Sequence, residues 1–183
     1  MNAISKLFDV SVPAVLNWGR TFAKKHAPKP ALTPGTLVSL ELDEMWHYIQ
    51  NKKNKLWIWK ALDRNTGHLI DWECGGRNAE TLTKLTNRLA IFNVKRYWTD
   101  KWQVYETILP PSKHVQDKAE THGIERNNCQ MRHWFGRFKR PSIIVSKIVE
   151  MVDLTIALFA RFRVNADMFD ILNLGGGQPN IIS

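Results

Sequence analysis

Apolar and polar residues alternate along residues 36–49, "TLVSLELDEMWHYI", which is the period of a β-strand with one buried face. Two more strand-like segments follow, "KLWIWKALD" and "HLIDWECG", and the short polar turns "NKKN" and "RNTG" separate the three segments. Strands joined by such tight loops pair with their neighbours in opposite directions. The pattern therefore predicts a meander of three antiparallel strands.

After the meander, helical and extended patterns alternate. Apolar residues recur at helical spacing in "NAETLTKLTNRLAIF", where Asn78 is suited to be the N-cap. A basic strand, "VKRYWTD", comes next, followed by a short helix that Pro110 ends and by a fifth short strand, "KHVQ". This order predicts that two later strands join the meander through helical crossovers.

The remaining chain predicts two long helices, "GIERNNCQMRHWFGRFKR" and an apolar segment from Ser142 to about Val164. A helical crossover between strands of one sheet makes the later strand parallel to its neighbour. We therefore predict an α/β fold with a ribonuclease H-like mixed sheet, in which three antiparallel strands precede the parallel strands and helices flank both faces. In this arrangement the first strand lies at the centre of the sheet and the fourth lies beside it.

The first 26 residues predict a short helical appendage. A helix, a turn at Asp9 and Val10, and a second helix with Ser11 as its N-cap match the last two helices of a helix-turn-helix unit. A plain helical hairpin fits the same pattern equally well. Residues 27–35 predict a proline-rich linker, residues 36–164 the main domain and residues 165–183 a C-terminal tail.

The charge balance favours a polyanionic partner. The 183 residues carry a net charge of +9 with a pI near 9.7, which favours nucleic acid over an acidic membrane surface. A basic protein without such a partner is the alternative. The two cysteines form no C-x-x-C motif, which argues against a disulfide scaffold or a zinc site and fits a reducing cytosol.

Two aspartates lie at the ends of strands that the predicted fold places side by side. Asp43 is late in the first strand, and Asp100 follows the fourth strand in "YWTDKW". Neighbouring parallel strands end at the same edge of a sheet, so we expect these carboxylates to meet there, where a hard cation such as Mg²⁺ relieves their repulsion. Glu125, in the first turn of the next long helix, is the candidate third acid.

Each of these acids also has an ordinary structural explanation. A lone aspartate after a strand, such as Asp100, often serves as a turn residue or as the N-cap of the following helix. A glutamate in the first turn of a helix, such as Glu125, is favoured by the helix dipole. Three acids alone are therefore a weak signal of catalysis.

Residues 126–140 contain five basic residues and no acid, interleaved with aromatic residues that we expect in the core. Such a run suits contacts with DNA phosphates, and a merely solvated basic face is the alternative. Arg132 lies seven residues after Glu125 and therefore on the same side of the helix. The candidate DNA-binding residues are Arg126, Arg132, Arg137, Lys139 and Arg140, together with Lys24 and Lys25 in the N-terminal appendage.

Four segments, "LDEMWHYI", "YWTDKW", "HGIERNN" and "FGRFKRPS", together resemble the transposase of the insertion sequence one family, a bacterial transposase with a DDE site. The resemblance runs from about residue 37 to residue 164, most of the chain. It implies that the main domain is a ribonuclease H-like DDE catalytic domain.

The resemblance also implies roles for particular residues. Asp43, Asp100 and Glu125 match the family's motif positions and would bind two Mg²⁺ (or Mn²⁺) ions, and Arg132 matches the basic residue seven beyond the glutamate. The implied activity is metal-dependent cleavage and strand transfer of DNA at insertion-sequence ends. The implied partners are transposon-end and target DNA and further copies of the chain on that DNA, in the bacterial cytoplasm and associated with the nucleoid.

The chain departs from the family pattern near its N-terminus. Such transposases resemble a fusion of a zinc-finger and helix-turn-helix region with the catalytic domain, but this sequence has no Cys and His set for zinc and only a partial helix-turn-helix. It therefore resembles the downstream reading frame, with an upstream-frame zinc-finger and helix-turn-helix protein as a candidate partner or fusion. The alternatives are a non-catalytic or inhibitory DNA-binding fragment, and a ribonuclease H-like nuclease without strand transfer.

Overall fold

The computed structural model describes residues 2–26, 33–139 and 144–165. The helices are α1 (Asn2–Leu7), α2 (Val12–His26), α3 (Ala79–Leu89), α4 (Gln103–Ile108), α5 (His122–Trp134) and α6 (Val149–Phe159). The strands are β1 (Leu37–Tyr48), β2 (Lys55–Asp63), β3 (Leu69–Gly75), β4 (Asn93–Thr99) and β5 (His114–Gln116). Short 3₁₀ turns occupy Lys118–Glu120 and Gly136–Phe138, and a π-helical turn, Ala160–Val164, follows α6. No helix in these ranges is long and apolar enough to cross a membrane.

The five strands form one mixed sheet in the order β3-β2-β1-β4-β5. β1 is antiparallel to β2, and β2 is antiparallel to β3, as expected for strands joined by tight turns. β4 is parallel to β1, and β5 is parallel to β4, because helices α3 and α4 carry the chain between them. This topology confirms the predicted ribonuclease H-like arrangement, with β1 at the centre and β4 beside it.

Helices cover both faces of the sheet, and the alternation of β1 decides which side chains each face receives. Leu40 and Leu42 pack in a core cluster with residues of α3 and α4. Met45 packs on the opposite face, in a cluster with residues of α5 and α6. Glu41 and Asp43 lie an even number of positions from Met45, so both face α5. The central strand therefore presents two acids to the helix that carries Glu125.

The two N-terminal helices form where the sequence predicts them. Asp9 has a left-handed backbone (φ 49°) between α1 and α2, and Ser11 Oγ accepts a hydrogen bond from the N–H of Ala14 at 3.3 Å. Leu7 is 77% exposed and Trp18 is 51% exposed, so neither is buried between the two helices. Instead α2 lies against α6, where the rings of Phe22 and Phe162 stack at 5.6 Å.

The last helix begins later than the sequence predicted. Residues 144–148 are not helical, and α6 starts at Val149. The reason is that Ser146 binds the end of β1: its Oγ contacts Nε2 of His47 at 2.8 Å, and its carbonyl accepts from the N–H of Gln50 at 2.8 Å. A helix through these residues would lose both contacts.

The preceding helix ends earlier than predicted. α5 stops at Trp134, and Phe135 is extended before the 3₁₀ turn. Three segments lie outside the described residues: residues 27–32 of the predicted linker, residues 140–143, and residues 166–183 of the predicted tail.

Candidate active site

An acidic cavity opens between the second half of β1 and helix α5. Its volume is about 290 Å³. The residues that line it are Asp43, Glu44, Glu125, Asn128, Cys129 and Arg132. The structure thus places Asp43, Glu125 and Arg132 on one cavity, with Glu125 and Arg132 on one side of α5 as helical spacing predicts.

Asp43 and Asp100 lie at the same edge of the sheet. The parallel register pairs Glu41 with Trp98, and Asp43 and Asp100 each follow two residues later, Asp100 directly after the end of β4. Burial, followed by the neighbouring Glu44 carboxylate, raises the pKa of Asp43 to about 6, and Asp100 acts in the same direction. The Asp43 carboxyl therefore lies in a poorly hydrated, negatively charged environment.

Glu125 owes its position to contacts at the start of α5. The Glu41 carboxylate, 4% exposed, accepts a hydrogen bond from the N–H of Ile124 at 2.7 Å and so caps the helix from the central strand. Gly123 permits this approach, because a Cβ there would lie 2.9 Å from Oε2 of Glu41 and 3.0 Å from Cδ2 of Leu62. The sequence did not indicate this role for Glu41.

Two consecutive asparagines attach α5 to the sheet beside the acids. Nδ2 of Asn128 donates to Oδ2 of Asp43 at 2.6 Å. Nζ of Lys60, which is fully buried on β2, donates to Oδ1 of Asn127 at 2.6 Å. The signal that could have identified Asn128 is its spacing of three residues from Glu125, which places both on one side of the helix. Lys60 gave no such signal, because it lies in an apolar strand.

Glu44 lines the cavity from the other face of the sheet. Its side chain is 3% exposed, with Oε1 accepting from Nε of Arg77 at 2.8 Å and Oε2 accepting from the Tyr105 hydroxyl at 2.9 Å. Burial raises the pKa of Glu44, and the Arg77 and Tyr105 hydrogen bonds oppose this rise. The guanidinium of Arg77 lies between the rings of Trp57 and Trp102, at 4.7 Å and 4.4 Å from their centroids. Glu44 thus holds α4 and the segment before α3 against the end of β1.

The basic residues of α5 and the following turn are only partly where the sequence suggested. Arg132 lines the acidic cavity, and Arg126 and Lys139 are exposed. Arg140 lies outside the described residues. Trp134, expected in the core, is 54% exposed.

The other candidate DNA-binding residues make contacts within the protein or lie elsewhere. Arg137 is half-buried, and its Nη1 donates to the carbonyl of Met151 at 3.1 Å. Lys24 forms an ion pair with Glu150 at 3.0 Å, while Lys25 is exposed. Arg137 and Lys24 therefore connect the turn after α5 and helix α2, respectively, to α6.

The donor chemistry of the cavity suits a hard divalent cation. Carboxylate oxygens are the ligands that Mg²⁺ prefers in proteins, and Asp43 shares an edge with Asp100 and a cavity with Glu125. Within residues 2–26, 33–139 and 144–165, no group of three or more His, Cys, Asp or Glu side chains is close enough to hold a metal ion. Asp43, Asp100 and Glu125 therefore lie in the same region, but their carboxyl groups do not surround one common metal position.

The strand order, the parallel β1–β4 pair and the acidic cavity between β1 and α5 define a ribonuclease H-like α/β protein. The chain belongs to the IS1 transposase family, whose profile it matches over residues 36–168. The family suggested by the four sequence segments is confirmed.

The curated relatives that the chain matches are also proteins of IS1 insertion elements. The insertion element IS1 protein InsB of Shigella flexneri is 34% identical over 127 residues, which cover 69% of this chain and 97% of that protein. The insertion element IS1 2 protein InsB of Escherichia coli strain K12 is 34% identical over 134 residues, covering 72% of this chain and 80% of that protein. Among solved structures, the catalytic core domain of BIV integrase is similar with a TM-score of 0.49 and 14% identity, covering 77% of this chain and 95% of that one.

Proposed function

We propose that this chain is a DNA transposase that catalyses metal-dependent strand cleavage and strand transfer at insertion-sequence ends. The observation that carries the proposal is that Asp43 on β1 and Asp100, directly after the parallel neighbour β4, are close enough to interact electrostatically, with Glu125 on the cavity that Asp43 also lines. Membership of the IS1 transposase family supports the same reaction class.

In this proposal Asp43, Asp100 and Glu125 hold two Mg²⁺ or Mn²⁺ ions. The bound ions would stabilise charge on the reacting phosphoryl group and lower the pKa of the attacking water or 3′ hydroxyl. No covalent intermediate with the protein is required.

The surrounding side chains have positioning and binding roles. Asn128 orients the Asp43 carboxylate through its 2.6 Å hydrogen bond, and Glu41 holds the first turn of α5, where Glu125 lies. Arg132 is the cation on the same cavity and would bind a phosphate near the reacting group. Burial of Asp43 strengthens its hydrogen bond with Asn128.

The proposal includes the partners that transposition requires. The substrates are transposon-end DNA and target DNA, and two ends must be joined, so several copies of the chain act together on DNA. An upstream-frame zinc-finger and helix-turn-helix protein is the proposed source of end recognition, with residues 1–26 as a partial helix-turn-helix. The proposed location is the bacterial cytoplasm, in association with the nucleoid.

A paired assay tests the proposed function. Purified protein is incubated in Mg²⁺ with labelled DNA carrying an insertion-sequence end, and both cut strands and strands joined to target DNA are measured. Transposase activity yields both products. Cutting without joining would support the ribonuclease H-like nuclease, and DNA binding without either product would support the non-catalytic or inhibitory fragment.

A further inference from the structure

A second cavity lies on the opposite side of α5 from the acidic cavity. Its volume is about 230 Å³, and the polar side chains that line it are Arg126, Asn127, Gln130 and Arg163, with Gly67 and Gly123 at its wall. Among the residues that the structure describes, those lining this cavity include no acid. We call it the basic cavity, since its charged lining groups are two guanidinium groups.

The amide of Asn127 is the buried polar group at the base of this cavity. The residue is 3% exposed, and the donor Nζ of Lys60 faces its Oδ1 at 2.6 Å. Because a lysine ammonium has donors only, the oxygen of the amide faces it, and the Nδ2 group is left as a donor. Nδ2 has no hydrogen-bond partner among the described residues.

A buried N–H group without an acceptor is costly, so a bound acceptor is the simplest physical explanation for one that lines a cavity. Lys60 fixes the orientation of the amide, so the donor is preorganised and does not need to rotate on binding. The sequence motif "IERNN" contains Asn127, but the catalytic role assigned to this motif does not use it.

The two arginines supply positive charge and further donors. The guanidinium of Arg163 lies 3.7 Å from the centre of the Trp134 ring, and this stacking fixes the plane of the group. Stacking uses the face of the guanidinium and leaves its N–H donors in the plane of the group. Arg126 is exposed at the start of α5, directly before Asn127.

We propose that the basic cavity binds a backbone phosphate of the DNA substrate, distinct from the phosphate that reacts at the acidic cavity. A phosphate group has only acceptor oxygens and a negative charge, which matches a lining of amide and guanidinium donors without an acid. Glu125 and Asn128 line one cavity, while Arg126 and Asn127 line the other. A strand that crosses α5 therefore contacts both, and the basic cavity sets its register relative to the acids.

This inference rests on the proposed function for the source of the phosphate, but its first test does not need DNA. Inorganic phosphate is titrated into the full chain, and the side-chain amide resonances of its asparagines are followed by NMR. We expect the Asn127 Nδ2 resonances to shift, while those of the exposed Asn87 on α3 do not. No shift at Asn127 would overturn the cavity as a phosphate site, whatever the protein does to DNA.

The second test measures DNA affinity of Asn127→Asp, which keeps the acceptor for Lys60, removes the Nδ2 donor and adds a repelling charge. We expect about a tenfold or larger loss of affinity at fixed salt and a salt slope smaller by about one. Asn87→Asp makes the same charge change on α3, on the other face of the sheet, and should bind DNA like the parent.

Arg126→Gln provides a second variant at an exposed site that does not risk the fold, with Lys84→Gln on α3 as its matched control. Arg126→Gln should weaken DNA binding more than Lys84→Gln. Phosphate could shift the Asn127 resonances while Asn127→Asp and Arg126→Gln bind DNA like their controls. In that case the cavity does not contact DNA and the proposal fails. If phosphate shifts the Asn127 resonances but the parent protein does not bind DNA, the cavity is a phosphate site and the proposed transposase function is wrong.

Discussion

Asp100 has one observed role, a contact in the turn before α4, and one proposed role, metal binding. Its Oδ1 accepts a hydrogen bond from the N–H of Trp102 at 3.0 Å, immediately before α4, and its charge raises the pKa of Asp43 on the neighbouring strand. The first role needs only an acceptor oxygen, whereas metal binding needs the charge. Asparagine keeps the acceptor and removes the charge, so it separates the two roles.

We therefore expect Asp100→Asn to reduce DNA cleavage in Mg²⁺ by about a hundredfold or more, the scale for losing one electrostatic group at a reacting centre. DNA affinity and the free energy of unfolding should remain close to those of the parent. Cleavage rate, DNA affinity and urea unfolding are the measurements.

Asp117→Asn is the matched control, since Asp117 also accepts from a backbone N–H two residues later, that of Ala119 at 2.9 Å, away from the cavity. It should cut DNA at the parent's rate. An Asp100→Asn variant that also cuts at the parent's rate would end the assignment of Asp100 as a metal ligand.

His47, near the C-terminal end of β1, links pH to stability. The residue is 3% exposed, and burial, with a smaller effect of Arg137, lowers its pKa from 6.5 to about 4. Between these pKa values the unfolded chain binds a proton that the folded chain does not, so acid favours unfolding. The stability that depends on a neutral His47 is therefore complete above pH 6.5 and is lost as the pH falls towards 4. The free energy of unfolding should decrease over this window.

His47→Gln should flatten that decrease, which urea unfolding between pH 4 and pH 7 would measure. His122→Gln, at an exposed site on α5, is the control for replacing a histidine. A His47→Gln profile as steep as the parent's would show that His47 does not cause the acid destabilisation.

At the scale of elements, the position of α5 on the sheet decides where Glu125 lies. The buried Glu41 carboxylate caps the helix, and the absence of a side chain at Gly123 lets the two approach. Gly123→Ala would place a Cβ 2.9 Å from that carboxylate and 3.0 Å from the Leu62 side chain, so the helix or Glu41 must move.

We expect Gly123→Ala to lower the free energy of unfolding by about 1–3 kcal/mol, the usual cost of overpacking, and to lower the cleavage rate as Glu125 shifts. Urea unfolding and the cleavage assay measure the two effects. Gly19→Ala is the control: its Cβ meets nothing within 4 Å in the exposed part of α2, so it should stabilise the protein by about 0.5–1 kcal/mol. If Gly123→Ala and Gly19→Ala had the same unfolding free energy and the same cleavage rate, the contact between Glu41 and α5 would not be what positions Glu125.

For the whole molecule, the net charge of +9 predicts DNA binding that is mainly electrostatic and independent of sequence. Affinity should fall steeply as salt rises. Arg132→Ala should weaken binding and reduce the salt slope by about one while metal binding is retained, because it removes a phosphate contact and no metal ligand.

Lys84→Ala on α3 removes the same charge from the opposite face and is the control, with affinities measured by fluorescence anisotropy over a range of salt. A preference for one DNA end that survives high salt would contradict sequence-independent binding. It would mean that α1 and α2 read bases, although α2 also packs against α6 through Phe22 and Lys24.

The sequence alone determined the features that depend on local periodicity. Alternation along β1 and the short turns after it were enough to predict the meander, and helical crossovers made β4 and β5 parallel to β1. Those two rules also placed Asp43 beside Asp100, and helical spacing placed Arg132 on the side of Glu125. Asn78 was recognisable as a cap because its side-chain oxygen accepts from the N–H of Thr81 only three residues away.

Only the tertiary structure decided the contacts between residues far apart in the chain. Glu41 caps a helix 83 residues later, and Asn128 binds Asp43 across 85 residues, so no local pattern could indicate either pair. Ser146 replaced the first turn of the predicted last helix with a contact to His47, because tertiary hydrogen bonds outweighed the local preference. Periodicity assigns a side chain to a face of its own element, but which distant group meets it there is set by how the elements pack.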